Sequence, residues 1–126
     1  MKIQETEDNS NIATIFFLPK NKGEMMIGKY WHCGVIYNGQ VYETFDQGYS
    51  SITHVSKRMP ELKKEKAVFL ETKIYPEKLD REVNSGTSCE QFSLRVMGMS
   101  NLKGTDKGNL LPSDVYKIIQ RKKYDK

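Results

Sequence analysis

The chain has 126 residues, 37% of them hydrophobic and 29% charged, which is the size of one domain and enough apolar material to offset the entropy of ordering it, so a natively disordered chain is excluded. The net charge of +4 collects in Lys63, Lys64 and Lys66 and in Arg121, Lys122 and Lys123, without interleaved stacking aromatics, and reads as solvated surface, not as a specific nucleic-acid interface. No apolar run is long enough for a signal peptide or a membrane span, and two cysteines with no disulfide framework point to reduced thiols in the cytoplasm.

A single domain over 1–126 is expected, with the polar stretch 1–11 as a frayed tail. Ile12, Ile15, Phe16, Phe17 and Leu18 predict a buried strand ending at Pro19, followed by a loop from Lys20 to Lys29. Tyr30 to Tyr37 and Gln40 to Phe45 are rich in aromatic and β-branched residues and flank Asn38-Gly39, the strongest short-range signal for a two-residue hairpin turn. Asp46 to Thr53, rich in Gly, Ser and Thr, reads as loop. Between Lys57 and Lys66 any helix should be short or begin at Pro60. Ala67 to Ile74 (AVFLETKI) reads as a further strand, and Pro76 to Val83 as a short helix opened by its proline.

After the break at Asn84, Ser85 and Gly86, the residues Cys89, Phe92, Val96 and Met99 recur at helical spacing, and Ser88 with Gln91 forms a capping-box pattern, so a helix is predicted to begin at Cys89. Asn101 to Asn109 reads as loop, and Pro112 opens a last segment, Ser113 to Gln120, with Val115, Ile118 and Ile119 on one side.

The hairpin register turns these elements into chemistry. Counting back from the turn pairs Val35 with Tyr42, Gly34 with Glu43 and His32 with Phe45, which places His32 and Glu43 on one sheet face as diagonal neighbours roughly 7 Å apart at Cβ. Gly34 has no side chain, leaving room for the Glu43 carboxylate to lean toward the imidazole. A carboxylate on one ring nitrogen fixes the tautomer and supports an imidazolium, the orienting role in a nucleophile-base triad. Cys89, in the first turn of a helix, lies near free backbone N–H groups and the positive end of the macrodipole, which favour thiolate and can bind an oxyanion.

Each residue also has a plainer reading: Cys89 as core packing, His32 and Glu43 as an ion pair. Cys33, next to His32 on the strand, points to the opposite face and reads as a small buried residue. His54 could replace Glu43 as the orienting group, though it reads more simply as an exposed loop histidine. A metal site from His32, Cys33, His54 and Cys89 matches no zinc spacing.

The segment WHCGVIYNGQVYETF, followed by TSCEQF, resembles the strand and nucleophile-helix motifs of the circularly permuted papain-like hydrolases, the group related to NlpC-type peptidases and including lecithin:retinol acyltransferase. LLPSDVYKII resembles the stretch that follows the catalytic helix in bacterial members. The resemblance implies Cys89 as nucleophile, His32 as base and Glu43 as orienting residue.

The expected fold is α+β, a small antiparallel sheet with the Cys89 helix packed across it, of the permuted papain-like kind. The expected activity is a cysteine hydrolase acting on an amide, isopeptide or ester bond of a peptide or acyl substrate, with no cofactor and no metal needed for the chemistry. The rival is a non-enzymatic module on the same fold that holds a peptide or protein beside Trp31, Tyr42 and Tyr49.

Overall fold

In the computed structural model, which describes residues 10–20, 29–45, 49–99 and 111–124, the central hairpin forms as its dipeptide dictates. Asn38 and Gly39 have φ of 51° and 81°, the left-handed pair that matches the twist of the flanking strands. Strands β2 (Tyr30–Tyr37) and β3 (Gln40–Thr44) accordingly pair Tyr37↔Gln40, Ile36↔Val41 and Val35↔Tyr42. The expected register is right, but the ladder stops there, short of Gly34↔Glu43 and His32↔Phe45.

Strand β1 (Asn11–Pro19) lies antiparallel to β2, with Ile15 opposite Val35 and Leu18 opposite His32. On its other side it pairs with β5 (Val68–Ile74). Ile15, Phe16, Phe17 and Leu18 are all buried, because both faces of the sheet are covered at this point; an unbroken apolar run marks such a strand. The sheet has five strands in the order β4-β3-β2-β1-β5, all antiparallel.

Of the expected loop from Asp46 to Thr53, residues 46–48 lie outside the described residues and the part from Ser50 to Thr53 is corrected by strand β4 (Ser50–His54). It is an edge strand, paired to β3 through Gln40↔His54 to Thr44↔Ser50, and an edge tolerates the polar side chains that made it look like loop. The next helix is corrected too: α1 (Val55–Lys64) runs through Pro60 instead of starting there. His54 caps it, the ring Nδ1 accepting from the Ser56 N–H at 3.1 Å. Residues 1–9 of the expected frayed tail, 21–28 of the first loop and 101–109 lie outside the described residues.

A 3-10 turn (Pro76–Lys78) leads into α2 (Leu79–Val83), followed by α3 (Cys89–Val96) and α4 (Pro112–Tyr124). One sheet face packs Phe16, Leu18 and Val41 against Leu62 of α1. The other packs Ile15, Phe17, Cys33, Val35 and Leu70 against Val83, Phe92, Val96, Val115 and Ile119 of α2, α3 and α4. Ser113 ties α4 to the start of β2, its hydroxyl accepting from the backbone N–H of Lys29 and Tyr30 at 2.8 and 3.1 Å. No helix among the described residues is long and apolar enough to cross a membrane.

Gly34 is required by close packing, for a different reason than the one expected. A Cβ there would lie 2.4 Å from Cε2 and 2.6 Å from Cζ of Phe16, and 3.0 Å from the Tyr42 carbonyl oxygen. The space is therefore filled by the Phe16 ring, not kept for the Glu43 carboxylate. Gly34→Ala must displace a fully buried ring, and is expected to cost about 1–3 kcal/mol of stability, measurable as a lower urea midpoint at unchanged slope.

Candidate active site

Ser88 begins α3 as its N-cap, its hydroxyl accepting from the Gln91 N–H at 3.2 Å. This is the forward half of the predicted capping box, and it makes Cys89 the first helical residue. Cys89 is 7% exposed. Its Sγ lies 3.5 Å from Glu90 Oε1, and its carbonyl oxygen accepts from Cys33 Sγ at 3.6 Å. Cys33 Sγ also contacts Ser93 Oγ at 3.6 Å. Cys33 does face away from His32 into the core, as its place on the strand required, but α3 packs on that face and brings Cys33 against Cys89.

On the other face, His32 Nε2 is bonded to Glu43 Oε1 at 2.9 Å. With the cross-strand ladder ended at Val35↔Tyr42, the side chains themselves join β2 and β3 here. The imidazole stacks on Phe45 (centroids 4.6 Å apart, 11° between planes) and on Trp31 (5.1 Å, 28°), and meets the edge of Phe16 at 5.8 Å. Cys89 and His32 are near enough that each shifts the ionisation of the other: Cys89 raises the His32 pKa, and His32 lowers that of Cys89.

Glu43 is 1% exposed and is held by more than His32. Arg58 of α1 grips it side-on, Nε donating to Oε2 at 2.8 Å and Nη2 to Oε1 at 3.0 Å. The remaining Nη1 donates to Glu61 Oε1 at 2.8 Å. Burial alone would raise the Glu43 pKa, but hydrogen bonds from His32 and Arg58 hold it below the ordinary value of 4.5. Burial alone would lower that of His32; its interactions with Cys89 and Glu43 raise it instead, from 6.5 to about 9.

Cys89 departs from the expectation of a favoured thiolate. Its pKa is raised well above the ordinary value, first by the hydrogen bond with Cys33 and then by burial, with His32 pulling the other way. The partial positive charge of a helix start is weak beside the cost of ionising a buried thiol. At rest the group is a thiol, not a free-standing thiolate.

Of the three residues singled out from sequence, the structure bonds His32 to Glu43 directly, and Cys89 is linked to His32 through their mutual effect on ionisation. His54 is apart from them, occupied in capping α1, and Tyr42 is buried on the opposite sheet face with its hydroxyl on Gln40 Oε1 at 3.2 Å, so it lines no surface cleft; Trp31 and Tyr49 are exposed. Two residues escaped the sequence reading, Arg58 and the contacting role of Cys33. The register Val35↔Tyr42, continued, also sets Thr44 opposite Cys33, and Thr44 Oγ1 is the one buried side-chain oxygen or nitrogen without a partner among the described residues.

The described chain is a mixed helix and strand protein built on a small five-stranded antiparallel sheet. No family model, curated protein or solved structure matches it.

Proposed function

We propose that the protein is a cysteine hydrolase of the permuted papain-like kind, with Cys89 as nucleophile, His32 as general base and acid, and Glu43 as the residue that orients the imidazole. The observation that carries this reading is the His32 ring, bonded at Nε2 to a buried carboxylate at 2.9 Å and electrostatically coupled to the Cys89 thiol. A nucleophile, a base and an orienting group in that order make a hydrolytic triad recognisable by role. The chain order of His strand, polar strand and Cys helix, which resembles that group, supports it further.

In the reaction, His32 in its neutral form takes the Sγ proton at Nδ1 as Cys89 attacks the carbonyl carbon of an amide, isopeptide or ester. The N–H groups of Gln91 and Phe92 are engaged by Ser88, so those of Cys89 and Glu90 are the donors for the oxyanion. The imidazolium then returns its proton to the leaving amine or alkoxide as the carbon–heteroatom bond breaks, leaving a thioester on Cys89. Water, deprotonated by His32, attacks the thioester; the acid leaves and the proton returns to sulfur. Because His32 is largely protonated below about pH 9 and the thiol is not ionised at rest, the pair acts through the fraction in which the ring is neutral, and proton transfer accompanies attack. No cofactor enters this chemistry.

The test is a panel of activated esters, thioesters, amides and isopeptide-linked peptides, read by product release and by mass spectrometry of the intact protein. At least one substrate should leave an acyl group on Cys89, and Cys89→Ala should lower turnover at least about 100-fold. Turnover unchanged in Cys89→Ala would remove the nucleophile and with it the proposal. The second reading, a binding module, is favoured by the exposure of Trp31 (40%) and Tyr49 (68%). It expects peptide binding that Trp31→Ala abolishes and Cys89→Ala leaves intact, with no acylation.

A further inference from the structure

We infer that Arg58 is a positioning residue of the site: by gripping both oxygens of Glu43 it keeps that buried carboxylate ionised and aims Oε1 at the His32 ring. This rests on the hydrolase reading, and concerns a residue that touches neither thiol nor imidazole.

Glu43 accepts three hydrogen bonds, one from His32 Nε2 and two from Arg58. Its side chain is 2% exposed, so water does not supply the rest of its solvation. A buried carboxylate with a single partner takes up a proton instead of staying charged. Once neutral, Glu43 would no longer support an imidazolium, and the basicity of His32 would fall with it. The guanidinium prevents this with the two parallel N–H groups that a carboxylate accepts best, and a planar fork fixes the plane of the carboxylate as well as its charge. Nothing else on α1 can do so: Lys57, Lys63 and Lys64 are exposed, and Glu61 bonds Arg58 from its outer side.

The groups that bear on Glu43 come from three elements. His32 of β2 and Arg58 of α1 contact it directly. Behind Arg58 stands Glu61, and behind His32 stands Cys89 of α3, flanked by Cys33 and Glu90. Charges therefore alternate along the row Glu61, Arg58, Glu43, His32, so that deleting Arg58 leaves like-charged carboxylates at 43 and 61 with no cation between them. α1 thereby acts on the sulfur chemistry from across the sheet.

The experiment measures iodoacetamide labelling of Cys89 against pH in the full chain carrying Cys33→Ser, with and without His32→Ala, in three versions: Arg58 retained, Arg58→Met and Arg58→Lys. The quantity read is the enhancement due to His32, the ratio of the rates with and without it. With Arg58 the enhancement should persist to pH 5. In Arg58→Met it should fall about ten-fold at pH 7 and vanish at a higher pH than with Arg58, because Glu43 then takes up a proton more readily. Arg58→Lys keeps the charge but not the fork, and should retain an intermediate enhancement.

An enhancement that is the same in Arg58→Met, folded by its cooperative thermal transition, as with Arg58 would overturn the inference. Should Arg58→Met not fold, an enhancement in Arg58→Lys identical at every pH to that with Arg58 would do the same. If His32→Ala has no effect even with Arg58 present, it is the hydrolase reading that has failed. If it has an effect that the Arg58 substitutions leave untouched, only the present inference has.

Discussion

Replacing His32 with Ala is expected to slow alkylation of Cys89 by iodoacetamide on the order of 10- to 100-fold at neutral pH, and to push the pH at which the thiol becomes reactive further upward. Iodoacetamide reacts with the thiolate, so its rate reports the ease of removing the Sγ proton. The contact with Cys33 and burial both resist that removal, and among the influences on Cys89 the interaction with His32 favours it. Deleting the imidazole leaves the resisting influences alone. Mass spectrometry of the labelled protein over pH 5–10, in a Cys33→Ser background so that one thiol is counted, makes the comparison. Equal rates with and without His32 would mean that the thiol is not coupled to the ring.

Glu43→Ala is expected to destabilise the protein by about 3–5 kcal/mol, because it strands a partly buried guanidinium and a buried imidazole that now share one carboxylate. Glu43→Gln should cost less, since the amide oxygen still accepts one of the bonds. Denaturant titration at pH 6 measures both. A loss within 0.5 kcal/mol, roughly the range of substitutions at ordinary surface positions, would show that the cluster does not hold the fold.

The same cluster sets the pH dependence of stability. His32 has a raised pKa, about 9 against 6.5, so its contribution is complete below 6.5 and is lost as the pH rises through 9. Glu43 has a lowered pKa, below 4.5, so its contribution is present above 4.5 and is lost as the pH falls through its folded value. Stability should therefore peak between about pH 5 and 6.5 and decline toward pH 9 by on the order of 2 kcal/mol. Thermal unfolding across this range, compared with His32→Gln, isolates the histidine: in that variant the decline between pH 6.5 and 9 should flatten.

The local parts of this protein were readable from the chain. Asn38-Gly39 is a turn whose backbone demands are met by those two residues alone, and everything paired from it follows by counting, which is how His32 and Glu43 could be placed on one face. Ser88 likewise announces the start of α3, because a cap is a contact between residues three apart. The unbroken run from Ile15 to Leu18 and the alternation from Leu70 to Ile74 record burial on two faces and on one. Ser50 to Thr53 misled because an edge strand is exposed like a loop, and its pairing is decided by β3 and not by its own composition. Pro60 misled because a helix six residues along can lose one hydrogen bond and be kept by the packing of Leu62.

What the sequence by itself determined is therefore the set of residues that can do chemistry and the short-range geometry around each: a histidine beside a carboxylate across one turn, and a cysteine at a helix start. What only the tertiary structure decided is their environment. That α1 folds over the histidine face brings Arg58 to Glu43; that α3 packs on the other face presses Cys89 against Cys33 and turns an expected thiolate into a resisting thiol. No local pattern encodes these contacts, since they join residues 15 and 56 positions apart through the packing of whole elements, and the charge state of a buried group depends on which neighbours that packing delivers.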